Sequence, residues 1–148
     1  MRAPVTQYPV TLIRRRKPVT GRTLGHYQIL DPLGSGGMGE VYRVRDNRLN
    51  RLAAIKLVRE DLVATASRKE RFVQEAKSAA ALNHPNIVKV YDVFEDNGLN
   101  CLVMEYIAGK TLHELIGKRG MPVKQALAIA AQVADGLSAA HRAGARAS

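Results

Sequence analysis

The sequence predicts an α+β fold: a five-stranded antiparallel sheet with one helix, followed by two further α-helices. Three observations lead there. Short apolar or alternating runs recur three times between Tyr27 and Val58. The period switches to helical spacing from about Ala66, and an Asn97-Gly98 hairpin signal then joins two more short apolar runs. The chain has 148 residues, 46% hydrophobic and 24% charged. A globular chain of that length buries roughly 70% of its unfolded surface, which suffices for one domain with a core. Such a composition excludes a disordered, collagen-like or disulfide-stapled chain.

The first 26 residues hold Arg2, Arg14, Arg15, Arg16, Lys17 and Arg22 and no acid, broken by Pro4, Pro9, Pro18 and Gly21. They read as a solvated basic leader over 1–26, carrying six of the ten net positive charges. Contact of this leader with nucleic acid or an anionic membrane is a minor expectation, because a charge run is usually a solvated one. From Tyr27 the texture is globular. Tyr27 to Leu33 reads as a strand, a glycine cluster follows, and Glu40 to Asp46 alternates as a second strand. Leu52 to Val58 is a third, more continuously apolar strand.

Phe72, Ala76, Ala79, Ala80 and Leu82 then recur at helical spacing over about 66–83, with His84-Pro85 ending the helix. Ile87–Phe94 and Leu99–Tyr106 are the fourth and fifth strands. Thr111 and Glu114 fit a capping box for a short helix that Gly117 and Gly120 end. Pro122 suits the first turn of the last helix, which is apolar on most faces and extends to about His141. Tyr42, Tyr91 and Phe94 read as core, Cys101 as a small buried hydrophobe, His84 as a partner of a helix-end carbonyl and His113 as surface. A lone cysteine can form neither an intrachain disulfide nor a cysteine-based zinc site. No apolar stretch approaches the ~18 residues of a membrane span, and no secretory signal is expected, because no apolar h-region follows the basic residues. A cytoplasmic location is the expectation.

Gly34-Ser-Gly-Gly-Met-Gly39 satisfies G-x-G-x-x-G, but the glycines lie between two strands rather than opening a helix. That contradicts a dinucleotide-binding fingerprint and leaves a glycine-rich hairpin, whose backbone N–H groups can approach phosphates closely. A plain hairpin would carry the same glycines. The motif is not isolated, however. Val41 follows it, and Ala53-Ala-Ile-Lys56 lies on the third strand. Phe72-Val-Gln-Glu75-Ala, His84-Pro-Asn-Ile-Val88 and Leu102-Val-Met-Glu-Tyr-Ile107 come next, in that order.

Together these five motifs resemble the protein kinase family, and the glycine segment through Tyr42 is most similar to bacterial eukaryotic-like serine/threonine kinases. The resemblance covers about 27–144. It implies an ATP-binding first lobe over 27–104, a hinge over 105–110 and partial second-lobe helices over 111–144, within a domain placed at 27–148. It further implies that Lys56 holds the nucleotide's α/β-phosphates and that Glu75 pairs with Lys56. Gly34, Ser35, Gly36, Gly37, Met38 and Gly39 would cover the phosphates. Leu33, Val41, Ala54 and Met104 would line the adenine slot, with backbone groups of Glu105 and Ile107 on the adenine edge.

The family's H-R-D-L-x-x-x-N loop and D-F-G motif, which supply the catalytic base and the Mg²⁺ ligands, do not occur in the sequence. His141-Arg142-Ala143 is not a damaged H-R-D, because it continues the last helix without a break. The expectation is a truncated, kinase-like chain, inactive alone, that binds ATP weakly and offers no catalytic residue and no metal ligand. The alternative is a pseudokinase-type interaction module docking on a partner kinase or a separately encoded second lobe.

Overall fold

The computed structural model describes residues 20–144. Among the described residues six strands form one antiparallel sheet: β1 (Thr23–Leu24), β2 (Tyr27–Gly36), β3 (Gly39–Asp46), β4 (Arg51–Val58), β5 (Val90–Asp96) and β6 (Leu99–Glu105), in the order β1-β2-β3-β4-β6-β5. Helix α1 (Ala66–Ala80) lies between β4 and β5, and α2 (Leu112–Ile116) and α3 (Val123–Arg142) follow the sheet.

The sheet has one strand more than the five the sequence suggests. Thr23 pairs with Gln28 and Leu24 with Tyr27, and Leu24 is completely buried. The end of the supposed leader is therefore part of the core; a two-residue strand is too short for periodicity to reveal. Residues 1–19, which hold most of the basic leader, lie outside the described residues.

The core sits on one face of the curled sheet. Ile29, Val44, Ala53, Ile55, Leu57, Cys101 and Val103 are buried together with Leu24 and Tyr27, and Tyr42, Tyr91 and Phe94 pack against them. The curl brings the ends of the strand order together. Tyr27 stacks on Phe94 at 5.7 Å between ring centres, and the Gly25 N–H donates to Asp96 Oδ2 at 2.7 Å. Among the described residues one charged side chain joins this interior: Asp46, 1% exposed, accepts from the N–H groups of Arg48 and Leu49 and lies 3.6 Å from His26 and 3.5 Å from Arg51. Burial pushes the Asp46 carboxyl upward, but the two N–H donors and the neighbouring His26 and Arg51 outweigh burial and hold it below the usual carboxylate range.

Local chemistry sets the element ends. Asn97 and Gly98 both have positive φ, 50° and 77°, as the tight two-residue turn of this hairpin demands. Thr65 caps α1 by accepting from the Arg68 N–H. That helix ends at Ala80, before Asn83, and β5 begins only at Val90. The intervening residues form a turn, in which the Ile87 N–H donates to the His84 carbonyl at 3.1 Å. Pro122 is the N-cap of α3 rather than its first helical residue, with an extended ψ of 139°. His141 and Arg142 are in α3, so they form no catalytic loop.

Candidate nucleotide-binding site

The face of the sheet opposite the core gathers the residues that the sequence nominates. Direct cross-strand neighbours project to the same side. Val41 on β3 faces Lys56 on β4, Lys56 faces Leu102 on β6, and Ala54 faces Met104. The strand pattern alone thus brings an ammonium, a short side chain and three apolar groups onto one surface. Leu33 stands at its rim, 45% exposed, where a register shift between Pro32 and Gly34 leaves it unpaired.

Above this surface β2 and β3 meet in a hairpin. Gly36 pairs with Gly39, so Gly37 and Met38 form a two-residue tip. Its glycines do different work. A Cβ on Gly34, Gly36 or Gly37 would meet nothing within 4 Å, so these leave open space and accessible backbone beside the loop. A Cβ on Gly39 would lie 2.0 Å from the Leu57 carbonyl oxygen, and its φ is +137°. Gly39 is therefore demanded by the close passage of β4, a packing reason independent of any ligand. Ser35 pairs opposite Glu40 on the same hairpin. The loop tip is tied down where the Arg59 N–H donates to the Met38 carbonyl at 3.3 Å.

Lys56 does not meet Glu75. Among the described residues its recorded polar contact is Met38 Sδ, 3.7 Å from Nζ, and Glu75 is exposed on α1. The expected Lys56–Glu75 pair is not closed, and the reason is physical. An ion pair in solvent contributes only about 0–1 kcal/mol, too little to draw a helix inward. Helix α1 buries Ala76, and toward its first turns Lys69 pairs with Glu95 on β5.

Beyond β6 the chain runs through Glu105 and Ile107 into the linker to α2. The Glu105 N–H donates to the Lys89 carbonyl at 2.9 Å, which fixes the strand end, while Ile107 is exposed. His84 also departs from expectation. Its Nδ1 accepts from the Asn86 N–H, and its Nε2 lies 3.2 Å from Asp135 on α3, because the turn after Pro85 folds the ring away from the helix-end carbonyls. Asn86 donates to the same Asp135 carboxylate at 3.2 Å, and Gly136 lets α3 approach so closely that a Cβ there would be 3.1 Å from the Asn86 oxygen. This junction, which sets α3 against the connection after α1, escaped the sequence reading. Its signal was a glycine inside an otherwise apolar helix.

The glycine hairpin leaves open space beside it, and Lys56 is a cation on the sheet face below, groups that a nucleotide's phosphates would meet. No three His, Cys, Asp or Glu side chains gather among the described residues.

The family model for the protein kinase domain matches residues 27–146. The chain belongs to the protein kinase family. Its kinase relatives include the serine/threonine-protein kinase PknB of Mycobacterium leprae, 45% identical over 123 residues, 80% of this chain and 20% of the relative. PrkC of Bacillus subtilis is 43% identical over 122 residues, 82% of this chain and 19% of that kinase. Pkn2 of Myxococcus xanthus is 43% identical over 117 residues, 79% of this chain and 14% of its own length. Among solved structures, the kinase domain of Mycobacterium tuberculosis PknI superposes with a TM-score of 0.77 at 32% identity, covering 86% of this chain and 52% of that domain. The chain thus spans about a fifth or less of these curated relatives and about half of that solved domain. The α+β kinase first-lobe fold is the one the sequence predicts.

Proposed function

We propose that this chain is the nucleotide-holding part of a serine/threonine protein kinase domain, an ATP:protein phosphotransferase family. One observation carries the reading: Val41, Ala54, Lys56 and Met104 share one sheet face beneath the glycine hairpin. Val41, Ala54, Leu33 and Met104 sandwich the adenine, and the Glu105 carbonyl and Ile107 backbone bond its edge. The open backbone of Gly34 to Gly37 and the Lys56 ammonium hold the phosphates, a charge-assisted contact stronger than a neutral one. Glu75 comes to Lys56 only when α1 moves inward. Bound ATP would supply the phosphoryl group, and the family uses Mg²⁺ with it.

The 148 residues hold neither H-R-D nor D-F-G, so positioning of the acceptor hydroxyl and stabilisation of the transferring group are missing from them. We therefore expect weak ATP binding and no phosphoryl transfer by these residues alone. Calorimetric titration tests the site: Lys56→Met should weaken ATP binding by roughly tenfold, the value of one charge-assisted contact. Equal affinity of the two chains would refute the assignment of Lys56, and protein phosphorylation lost on Lys56→Met would refute the inactivity.

A second reading, an interaction module, is favoured by a separate observation. Between α2 and α3 lies an apolar groove of about 540 Å³ lined by Leu112, Ile116, Ile129, Val133 and Leu137 among others. Leu127 and Val133 on α3 are half-exposed or more. A covering second lobe, carried by the same or another polypeptide, would bury this face. Among the described residues no helix is long and apolar enough to cross a membrane.

A further inference from the structure

The described methionines differ sharply in access: Met104 and Met121 are partly buried, whereas Met38 stands at the hairpin tip, 54% exposed. Its sulfur is also the atom that meets Lys56 Nζ, at 3.7 Å. We propose that Met38 is an oxidation site whose sulfoxide latches the glycine hairpin onto Lys56. A thioether is a feeble acceptor, and an ammonium carries three donors. A hydroperoxide transfers one oxygen atom to the sulfur lone pair and leaves as water or alcohol, so the thioether is oxidised by two electrons and the peroxide O–O bond is reduced. The new S–O group is polar and chiral, and in the epimer that directs its oxygen to the Lys56 side that oxygen lies one bond beyond the sulfur, toward the ammonium. It accepts a charge-assisted hydrogen bond where the thioether made only a weak contact. The latch occupies the cation that phosphates would otherwise meet, and it holds the tip, whose carbonyl already accepts from the Arg59 N–H, across the open space beside Gly36 and Gly37. The modification is reversible by methionine sulfoxide reductases, so it closes and reopens the site without loss of the protein.

The consequence for nucleotide rests on the reading of Lys56 given above, so the experiment uses a readout that does not. The full chain is treated with hydrogen peroxide, and sulfoxide at Met38, Met104 and Met121 is followed by peptide mass spectrometry. Acylation of Lys56 by an amine-reactive ester is measured in parallel. Met38 should oxidise first, and labelling of Lys56 should then fall about tenfold, the lower end of what one hydrogen bond to a charged group contributes. Treatment with the reductases should restore it. Met38→Leu should abolish the peroxide response, and Met38→Gln should lower labelling without oxidant. Oxidation of Met104 or Met121 as early as Met38 would overturn the proposal. So would unchanged Lys56 labelling with Met38 fully converted, or an equal fall in Met38→Leu. Titration of ATP into oxidised and reduced chain separates the two claims. If Lys56→Met leaves ATP affinity unchanged, the nucleotide reading fails while the labelling still decides the latch.

Discussion

Gly39 and its neighbours show how residues of one motif answer to different forces. Gly39 faces the Leu57 carbonyl at a distance no Cβ tolerates, with a φ that side chains rarely adopt, whereas Gly37 opens onto free space. Gly39→Ala should therefore lower stability by about 2 kcal/mol or more, as a strained backbone with a steric clash does. Gly37→Ala should stay within about 0.5 kcal/mol, the range of unconstrained surface changes. Denaturant titration of the two variants distinguishes a packing glycine from one kept for its accessible backbone. Cys101 gives a second residue-scale outcome. Burial, and then the charge of Asp96, push its thiol up to about 12, so almost no thiolate exists at neutral pH. Alkylation by iodoacetamide should be negligible in the folded chain and become rapid once denaturant exposes the residue.

At the scale of elements, α2 shows what capping can do for a five-residue helix. Thr111 accepts from the Glu114 N–H, and the Glu114 carboxylate accepts from the Thr111 N–H and hydroxyl. Those contacts, the backbone one foremost, hold the Glu114 carboxyl below its ordinary range. A depressed acid stabilises the helix above its unfolded pKa and loses that contribution as pH falls through the folded one. Amide exchange protection of α2 should thus decline on acidification below about pH 4. Thr111→Ala should cut that protection about fivefold at neutral pH, as loss of an N-cap does. A protection pattern indifferent to both changes would show that packing, not the cap, maintains α2. Helix α3 depends on a contact instead: Gly136 lies against Asn86, and nothing larger fits there without a shift.

At the scale of the whole molecule, the buried Asp46 ties the end of β3 to His26 and Arg51, whose guanidinium lies 3.7 Å from the centre of the Tyr91 ring. The Asp46 carboxyl titrates lower in the folded chain than in the unfolded one, so its stabilisation is complete above about pH 4 and disappears as pH falls further. Asp46→Ala should destabilise the sheet by roughly 2–3 kcal/mol at neutral pH, leaving two N–H donors unsatisfied, and should flatten the acid limb of the stability curve. Thermal unfolding between about pH 3 and 7 measures both, since that span brackets an ordinary carboxylate's titration. The apolar groove between α2 and α3 has its own signature. The chain should bind a fluorescent apolar dye, and Leu127→Gln with Val133→Gln should reduce that binding severalfold, because an exposed apolar patch is what such dyes recognise.

The sequence by itself determined the strands from Tyr27 onward, the helices, the Asn97-Gly98 turn, the capping box and the order of the five motifs. All of these are local: a period, a turn chemistry or a spacing is complete within a few residues. It also put Val41, Ala54, Lys56 and Met104 in one candidate site, which the cross-strand register then brought to one face. Only the tertiary structure decided that Leu24 belongs to the core and that Asp46 is buried beside His26 and Arg51. It likewise decided that Lys56 meets Met38 rather than Glu75, and that His84 and Asn86 meet Asp135. Each joins residues on different elements, where distance and solvent exposure govern the interaction. Those quantities are set by how the sheet curls and how α1 and α3 lie, and no local pattern carries them.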